Sequence, residues 1–520
     1  MTTLPVLRWM PLSALCLSAT VLLSGCGGGS GSTGKPDEVP SISLIGDAYT
    51  KVKLGDNAYK DAGALATDQK DGDLTDQIVV GGDVVDVNQP GVYTVRYFVK
   101  DSDSNTARIT RTVRVADYGA MDTSFGTDGL TQIDSDLTTH TIASDNNGDI
   151  FMSGNDASRI AIVKYSSSGV PDTTFGTNGI VTYSHPTAST NTFAKDIEIG
   201  ANNQIFVAGR IDPSDNNDSV AVWKYQPDGS LDTGFGTSGL ADTNQDSDRN
   251  NFFIAMDAAG NIYATGSDKH TFIMKFDANG DLDPNFGTDG INIIDNESRE
   301  EISGIALDSS GNIYISGEQS KFVDGNLITS GSLWKFNPDG QLVDDFGNAG
   351  QVIFTQNGYR HHFTSLAIDN NDQIYLTGHR YNYPTGDRIE EMIVLKYDTR
   401  GQLVNDFGDQ GLVVYKNETD GHFGTKIKIG QDDSIYIAGD IIANEVFAYS
   451  EWRYKIAVWQ YNRKGQLMPH FGDQGVAMHD LKPETTTSET TYDLLIDEDQ
   501  QAIYLSASEE STYYLIKLIN

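Results

Sequence analysis

The chain has 520 residues, and its 36 Lys and Arg residues against 73 Asp and Glu residues give a net charge of −37 at pH 7. Phosphate backbones bind basic surfaces, so this charge excludes nucleic acid as an expected partner. The two cysteines, Cys16 and Cys26, both lie near the N-terminus. The sequence therefore predicts a core without disulfides or thiolate metal sites.

Residues 1–26 have the pattern of a secretory signal, with one basic residue (Arg8), an apolar run from Leu12 to Leu23 and a final Leu-Ser-Gly-Cys. This ending resembles the bacterial lipobox, which implies cleavage before Cys26 and lipidation of that residue. Several acyl chains would anchor the protein stably to a membrane. Gly27 after the cysteine favours the outer membrane, with the protein facing the periplasm or the cell surface. An ordinary secreted protein is the alternative.

Residues 27–38 have the Gly/Ser composition of a flexible tether. Residues 39–116 then alternate short strand-like runs with Gly, Asp, Asn and Pro, which predicts a small β-sandwich. The sequences DGDLTD from Asp71, GVYTVRYFVKDSDSN from Gly91 and RTVRV from Arg111 resemble the bacterial surface Ig-like domains. The resemblance implies a stalk or spacer that carries the rest of the chain.

A Phe-Gly pair followed by a second glycine occurs seven times after Met121. The phenylalanines stand at 125, 175, 235, 286, 346, 407 and 471, so the period is 50 to 64 residues. Each period contains the same four short strand-like runs, which is typical of one blade of a β-propeller.

The sequence predicts an all-β fold in which residues 119–520 form a seven-bladed propeller. The last repeat has three strand-like runs and lacks a fourth, whereas Gly129 to Ile133 precedes the first complete repeat. We expect this N-terminal segment to supply the missing strand and to close the ring, which removes exposed sheet edges. An open β-solenoid is the alternative.

The repeats also resemble the bacterial delta-60 repeat family, through KYQPDG from Lys224, LDTGFGTSG from Leu231 and DAAGNIYATG from Asp257. This resemblance implies a propeller of the kind found in secreted and surface proteins. It transfers no catalytic residue.

Residues that recur in every blade are interpreted as structural. The phenylalanines are expected to wedge between blades, and the glycines to adopt positive φ or allow close backbone approach. A recurrent aspartate, as in Asp145, Asp257 and Asp308, is expected to cap a tight turn through its side chain. We therefore predict no cofactor. Calcium binding at these turns is the alternative that stays open.

Function is expected where the repeats differ, in the long loops of blades 5 and 6. Exposed aromatic and arginine side chains there could bind a polysaccharide or an envelope protein. Packing of the same side chains into a local loop core is the alternative. The predicted patch consists of Tyr359, Arg360, His361 and His362, then His379, Arg380, Tyr381, Tyr383 and Arg388, and in blade 6 Phe447, Tyr449, Glu451, Trp452 and Tyr454.

The sequence contains no nucleophile-elbow or zinc-protease motif, so no catalytic residue is predicted. His361 or His362 could pair with His379 to hold a metal, but an ordinary loop histidine is favoured. Two alternatives to a binding protein stay open. One is a hydrolase or lyase at the mouth of the channel, using Glu300, Glu301, Lys195, Asp196 and Asp493; the other is a structural spacer.

Overall fold

A computed structural model gives the fold of the chain. It describes residues 39–133, 137–187, 190–212, 219–246, 252–267, 270–294, 299–323, 326–382, 389–417, 420–443, 453–481, 489–509 and 512–520. These residues form 35 β-strands and one short 3-10 helix, Thr75–Gln77. The predicted all-β class is therefore confirmed. No helix in these ranges is long and apolar enough to cross a membrane.

The N-terminal region contains two sheets. One has the strand order β1-β3-β4 and the other has the order β2-β7-β6-β5, in which β2 and β7 are parallel. Side chains along β6 alternate between buried and exposed over its second half, as expected of strands with one face on a core. The strands are β1 (Ser41–Leu44), β2 (Tyr49–Lys53), β3 (Ala64–Asp68), β4 (Gly72–Asp73), β5 (Val79–Gly82), β6 (Gly91–Lys100) and β7 (Thr106–Ala116).

The described chain divides into two compact units. The first consists of residues up to Ala48 together with Asp61–Asp83 and Thr94–Arg111. The second consists of Tyr49–Lys60, Val84–Tyr93 and Thr112–Asn520. The domain limits predicted from the sequence, 39–116 and 119–520, stay a prediction.

Seven four-stranded antiparallel sheets follow, called blades 1 to 7. Blade 1 is β9 (Leu137–Ser144), β10 (Ile150–Asp156), β11 (Arg159–Tyr165) and β12 (Ile180–Tyr183); blade 2 is β13 (Asn191–Ile199), β14 (Ile205–Asp212), β15 (Ser219–Tyr225) and β16 (Leu240–Asp246); blade 3 is β17 (Phe252–Met256), β18 (Ile262–Ser267), β19 (Thr271–Phe276) and β20 (Ile291–Ile294); blade 4 is β21 (Arg299–Leu307), β22 (Ile313–Val323), β23 (Asn326–Phe336) and β24 (Gln351–Phe354). Blade 5 is β25 (Tyr359–Ile368), β26 (Ile374–Asn382), β27 (Glu391–Tyr397) and β28 (Leu412–Tyr415); blade 6 is β29 (Gly421–Ile429), β30 (Ile435–Ala443), β31 (Arg453–Tyr461) and β32 (Val476–His479); blade 7 is β33 (Glu489–Asp497), β34 (Ala502–Glu509), β35 (Thr512–Ile519) and β8 (Leu130–Gln132).

The second and third strands of each blade are its central strands, with neighbours on both sides. Their sequences are therefore nearly continuous apolar runs, since both faces of a central strand are covered by adjacent blades. Ile205–Ala208 and Val220–Trp223 are buried without interruption. The fourth strands are mostly four residues long and form the outer edge.

The N-terminal strand β8 completes the last sheet. It pairs antiparallel with β35, with Leu130 opposite Ile516 and Gln132 opposite Tyr514. Tyr504 and Leu515 of blade 7 share a buried cluster with Met152 of blade 1. The last sheet thus packs on the first through this cluster.

The Phe-Gly segments join neighbouring blades. The glycine N–H donates to a carbonyl in the turn between the third and fourth strands of the next blade, as in Gly176 to Asp228 (3.2 Å) and Gly287 to Asp339 (3.0 Å). The phenylalanine of every Phe-Gly pair is buried and packs edge-on against an aromatic ring in the second strand of its own blade. The ring pairs are Phe125–Tyr504, Phe175–Phe151, Phe235–Phe206, Phe286–Tyr263, Phe346–Tyr314, Phe407–Tyr375 and Phe471–Tyr436.

Glycine is required on both sides of this contact. Gly176 has a φ of 55°, in the left-handed region that favours glycine. A Cβ at Gly229, in the turn of the next blade, would lie 2.9 Å from the ring of Phe175. The wedge interpretation of the repeated phenylalanines therefore agrees with the structure.

Candidate functional site

Apart from Tyr454, which lies on β31 of blade 6, the described part of the predicted patch lies on two paired strands, β25 and β26. Arg360 pairs with Tyr381, His361 with Arg380, and His362 with His379. Strand β26 continues to Asn382, so residues expected in a loop extend the sheet instead. Tyr383, Arg388, Phe447, Tyr449, Glu451 and Trp452 lie outside the described residues.

Three of the predicted ligand-binding residues are buried. His361 is 0% exposed, and Arg380 and Tyr381 are each 8% exposed. The His361 ring packs edge-on against Phe354 at 5.0 Å. Burial lowers the pKa of His361 to about 4, so its imidazole is neutral at neutral pH. The expectation of an exposed stacking surface is wrong for these three residues, and the local-core alternative describes them.

Arg380 is held by groups of its own blade. Its Nε donates to Glu391 Oε2 at 2.8 Å, and its guanidinium carbon lies 4.2 Å from the centroid of the Tyr359 ring. Lys416 Nζ binds the other oxygen of Glu391 at 2.8 Å. Burial alone would raise the pKa of Glu391, but the cations of Lys416 and Arg380 hold this pKa below its usual value. Arg380 is thus engaged in an ion pair and is not available to bind a ligand carboxylate.

His362 and His379 belong to a row of stacked groups that crosses three blades. The two imidazoles stack at 5.0 Å, and His362 Nδ1 lies 2.6 Å from Glu318 Oε2 of blade 4. On the other side, His379 packs edge-on against Phe423 of blade 6 at 4.8 Å. The row therefore joins blades 4, 5 and 6. The described residues hold no group of three or more His, Cys, Asp or Glu placed to bind a metal ion.

The recurrent aspartates cap the turns between first and second strands. Asp308 Oδ1 accepts the N–H groups of Ser310 (3.0 Å) and Asn312 (2.9 Å), and its Oδ2 accepts from the Asn312 amide at 2.8 Å. Asp145, Asp257 and Asp369 accept equivalent backbone bonds. The carboxylates are therefore satisfied by the turns that they cap.

The first strands of all seven blades line a central channel, and side chains from every one of them surround a cavity of about 190 Å³. Register shifts typical of β-bulges interrupt the pairing of six first strands. A bulge re-aims the side chains beside it. In blades 2, 6 and 7 the residues that follow the bulge are Asp196, Lys426 and Asp493, and all three line the cavity.

These carboxylates bind the adjacent blades. Asp196 Oδ2 accepts the Ile254 N–H of blade 3 at 2.9 Å, and Asp493 Oδ2 accepts the Ile142 N–H of blade 1 at 3.0 Å. Lys426 Nζ lies 3.3 Å from Asp493 Oδ1. Although burial favours the neutral amine, Asp493 and Asp196 hold the pKa of Lys426 above its usual value. Asp196 and Asp493 thus converge as anticipated, but as links between strands.

The other predicted channel residues do not join them. Neither Lys195 nor Glu301 lines the cavity, and burial lowers the pKa of Lys195. The backbone of Glu300 pairs with Gln319 at the opposite end of its strand from the turn. Lys426 was not predicted, because nothing in its local sequence distinguishes it from other strand lysines.

The hairpin of β22 and β23 in blade 4 was also missed by the sequence analysis. The two strands pair up to Val323 opposite Asn326, beyond the last pairs that they make with β21 (Ser320) and β24 (Gly331). Near its tip Phe322 is 78% exposed and Ile328 is 40% exposed. The Asp-Gly pair between the apolar runs Phe-Val and Leu-Ile is a usable hairpin signal in this segment.

Comparisons with known proteins agree with this architecture. Residues 42–115 match the family model of the Ig-like domain of bacterial surface proteins. Residues 200–235 match the model of a β-propeller domain of unknown function, DUF5122. The chain thus combines an Ig-like domain of the kind found in bacterial surface proteins with a β-propeller, as the sequence analysis predicted. No curated protein matches it.

Solved structures with a similar fold include proteins of three different kinds. A catalytically inactive virginiamycin B lyase from Staphylococcus aureus is 10% identical, over 75% of this chain and 99% of its own, with a TM-score of 0.40. The extracellular part of Drosophila Semaphorin 1a is 11% identical, over 75% and 88%, with a TM-score of 0.43. A PL25 ulvan lyase is 10% identical, over 75% and 96%, with a TM-score of 0.43. Similarity at this level carries no argument about activity.

Proposed function

We propose that this chain is a lipid-anchored binding protein of the cell envelope, whose propeller contacts a polysaccharide or an envelope protein. The contact surface would be the rim, which we define as the hairpins between second and third strands in blades 4, 5 and 6. The observation that carries the proposal is the extended hairpin of blade 4 with its exposed Phe322. Aromatic side chains are enriched among the residues that dominate binding energy at interfaces.

The second and third strands of these three adjacent blades are longer than those of blade 3. In blade 3 the second and third strands have 6 residues each, whereas in blade 4 they have 11. Two exposed apolar residues near one tip, Phe322 and Ile328, favour a protein partner over a sugar chain, because an apolar side chain gains most when it enters a closed pocket.

Catalysis in the channel is less well supported. The two acids that converge there, Asp196 and Asp493, each accept a backbone N–H bond from the next blade. A carboxylate held in this way cannot leave its partner without breaking a contact between blades. The hydrolase or lyase alternative therefore has no observation in its favour among the described residues.

Two assays test the rim, the first on a soluble chain of residues 27–520 without the lipid anchor and the second on the full chain. The first measures binding to a panel of bacterial and marine polysaccharides. The second places a photo-crosslinking amino acid at position 322 in cells. Val170 serves as the control position, because it is 58% exposed in a turn at the opposite ends of the strands. We expect Phe322→Ala to weaken binding at least tenfold and Val170→Ala to leave it unchanged.

The absence of both a polysaccharide ligand and a crosslink at position 322 would contradict the rim and favour a structural spacer. Membrane anchoring is tested separately with Cys26→Ser, which removes the residue expected to carry lipid. We expect this variant to move from the membrane fraction to the soluble fraction. A variant that stays with the membrane would show that the lipid anchor at Cys26 is not what holds the protein there.

A further inference from the structure

The channel contains a second group of charged side chains beside the Asp196–Lys426–Asp493 cluster. Glu198 of blade 2 and Lys428 of blade 6 lie two residues further along their strands. Both line the central cavity of about 190 Å³ and also a larger cavity of about 560 Å³. The larger cavity extends to Gly200 and Ala201 in the turn after the first strand, so it occupies the turn end of the channel.

Glu198 and Lys428 differ from the other channel charges because they act on each other only through space, without a hydrogen bond or a close ion pair. Within the described residues, the side chain of Glu198 makes no hydrogen bond or ion pair, and the same is true of Lys428. By contrast, Asp196 and Asp493 accept backbone N–H bonds and Lys426 pairs with Asp493. Burial raises the pKa of Glu198 to about 7, although Lys428 opposes the shift.

Charged groups that lack hydrogen-bonded partners in a recessed site are costly unless something else compensates them. Here one anion and one cation come from blades that lie on different sides of the cavity. Ile254, Ile305 and Leu366 contribute apolar side chains to the walls of both cavities. A volume of about 560 Å³ falls in the range of small-molecule sites, which is roughly 300 to 1,000 Å³.

We propose that the turn end of the channel binds a small zwitterion with an apolar side chain, that is, an amino acid or a short peptide. Its ammonium group would bind Glu198, its carboxylate would bind Lys428, and its side chain would contact Ile254, Ile305 and Leu366. A dianion such as a phosphate ester fits less well, because Glu198 and the nearby carboxylates of Asp196 and Asp493 would repel it. The site is separate from the rim, and the proposal does not depend on the function of the rim.

Calorimetric titration of the soluble chain, residues 27–520, at pH 8 tests the proposal with four probes. L-leucine and L-leucyl-L-leucine carry both charges, N-acetyl-L-leucine lacks the ammonium group and L-leucinamide lacks the carboxylate. We expect at least one of the two zwitterions to bind, and each single-charge analogue to bind at least tenfold more weakly than the tighter zwitterion. This comparison uses only the unaltered protein, so it does not depend on any variant folding.

Two variants assign the charges. Glu198→Gln is expected to weaken at least tenfold the affinity for the zwitterion that binds and to leave the affinity for N-acetyl-L-leucine unchanged. Lys428→Met is expected to weaken the affinity for the same zwitterion and to leave the affinity for L-leucinamide unchanged. Lys464→Met, at an exposed turn of blade 6, removes the same positive charge and is expected to change nothing. Absence of binding by both zwitterions would overturn the proposal, as would binding that ignores the loss of either charge.

Discussion

Asn155 and Asp440 occupy equivalent positions in two blades, and each links its blade to the next, one through an amide and the other through a carboxyl group. Each follows a glycine of the second strand, and each accepts a backbone N–H from the first strand of the next blade. Asn155 Oδ1 binds Ala194 N at 2.9 Å, and Asp440 Oδ1 binds Thr491 N at 2.9 Å. An amide does this without carrying charge, whereas burial raises the pKa of Asp440 to about 7 from an ordinary value of 3.8.

The raised pKa makes the stability contribution of Asp440 depend on pH. Between about pH 4 and pH 7 the folded protein keeps a proton at Asp440 that the unfolded chain releases, so the free energy of unfolding falls as pH rises through this window. Asp440→Asn preserves the acceptor and removes the charge. We expect it to increase the free energy of unfolding at pH 8 by on the order of 2 kcal/mol, and to change it little at pH 4.

Denaturant unfolding between pH 4 and pH 8 measures this effect. Asp339→Asn is the control, because it removes the same charge from an exposed turn and is expected to have an effect near zero. If Asp440→Asn destabilised the protein equally at both ends of the pH range, the carboxylate would be the form that the fold requires.

The Phe-Gly segment is the element that joins one blade to the next. It places one aromatic ring in its own blade, as Phe286 on Tyr263 at 6.1 Å, and one backbone bond to the next blade, as Gly287 to Asp339. Each blade buries its second and third strands against neighbours, so loss of one such contact also exposes part of the adjacent blade. The segment is therefore expected to matter more for stability than its length suggests.

Phe286→Ala tests this role. The ring is 0% exposed, and truncation of a buried phenylalanine costs about 3 to 5 kcal/mol through lost burial and the cavity left behind. Phe322→Ala makes the same change at a side chain that is 78% exposed, so we expect an effect below about 0.5 kcal/mol. Comparable losses for the two variants in urea unfolding would contradict the role of the segment as a contact between blades.

The glycines of the second strands are a second recurrent element, and their reason appears in the structure. A Cβ at Gly378 would lie 1.9 Å from the carbonyl oxygen of His362, opposite the bulge of β25. Gly209 and Gly439 have the same relation to Phe193 and Phe423. A glycine inside a strand is a known sign of a bulge. The sequence thus contained the signal for the bulges, although not the direction in which they turn the channel side chains.

At the scale of the whole molecule, the seventh blade is completed by a strand from the other end of the propeller segment. Ile133 N donates to Tyr513 O at 2.9 Å, and alternate residues of an antiparallel strand face the same way. The N–H of Thr131 therefore faces β35, whereas the N–H of Gln132 faces away from it.

Two proline substitutions separate this pairing from a general effect of proline. Thr131→Pro removes a donor to β35, so we expect it to lower the melting temperature and to promote association through the freed edge of β35. Gln132→Pro places the same ring where the N–H is not used within the sheet, which edge strands tolerate. Calorimetry and size-exclusion chromatography measure both effects, and equal behaviour of the two variants would contradict a closing role for β8.

The sequence by itself determined the all-β class, the propeller repeat and the Ig-like domain, because each blade must repeat the same local solution to the same packing problem. Seven copies of Phe-Gly and five of the turn-capping aspartate therefore carried the architecture. The sequence did not determine which side chains were exposed. Arg380 and His361 were expected at the surface. In the structure β26 continues as a strand and pairs with β25, and both residues are buried.

The channel was decided only by the tertiary structure. Asp196, Lys426 and Asp493 come from blades 2, 6 and 7, so no spacing along the chain shows that they meet. The same holds for Glu198 and Lys428, whose lack of a hydrogen-bonded partner is visible only when all the neighbouring strands are in place. A repeat fixes what is common to the blades, whereas a site at the axis depends on one residue from each of several blades, and closure of the ring is what brings those residues together.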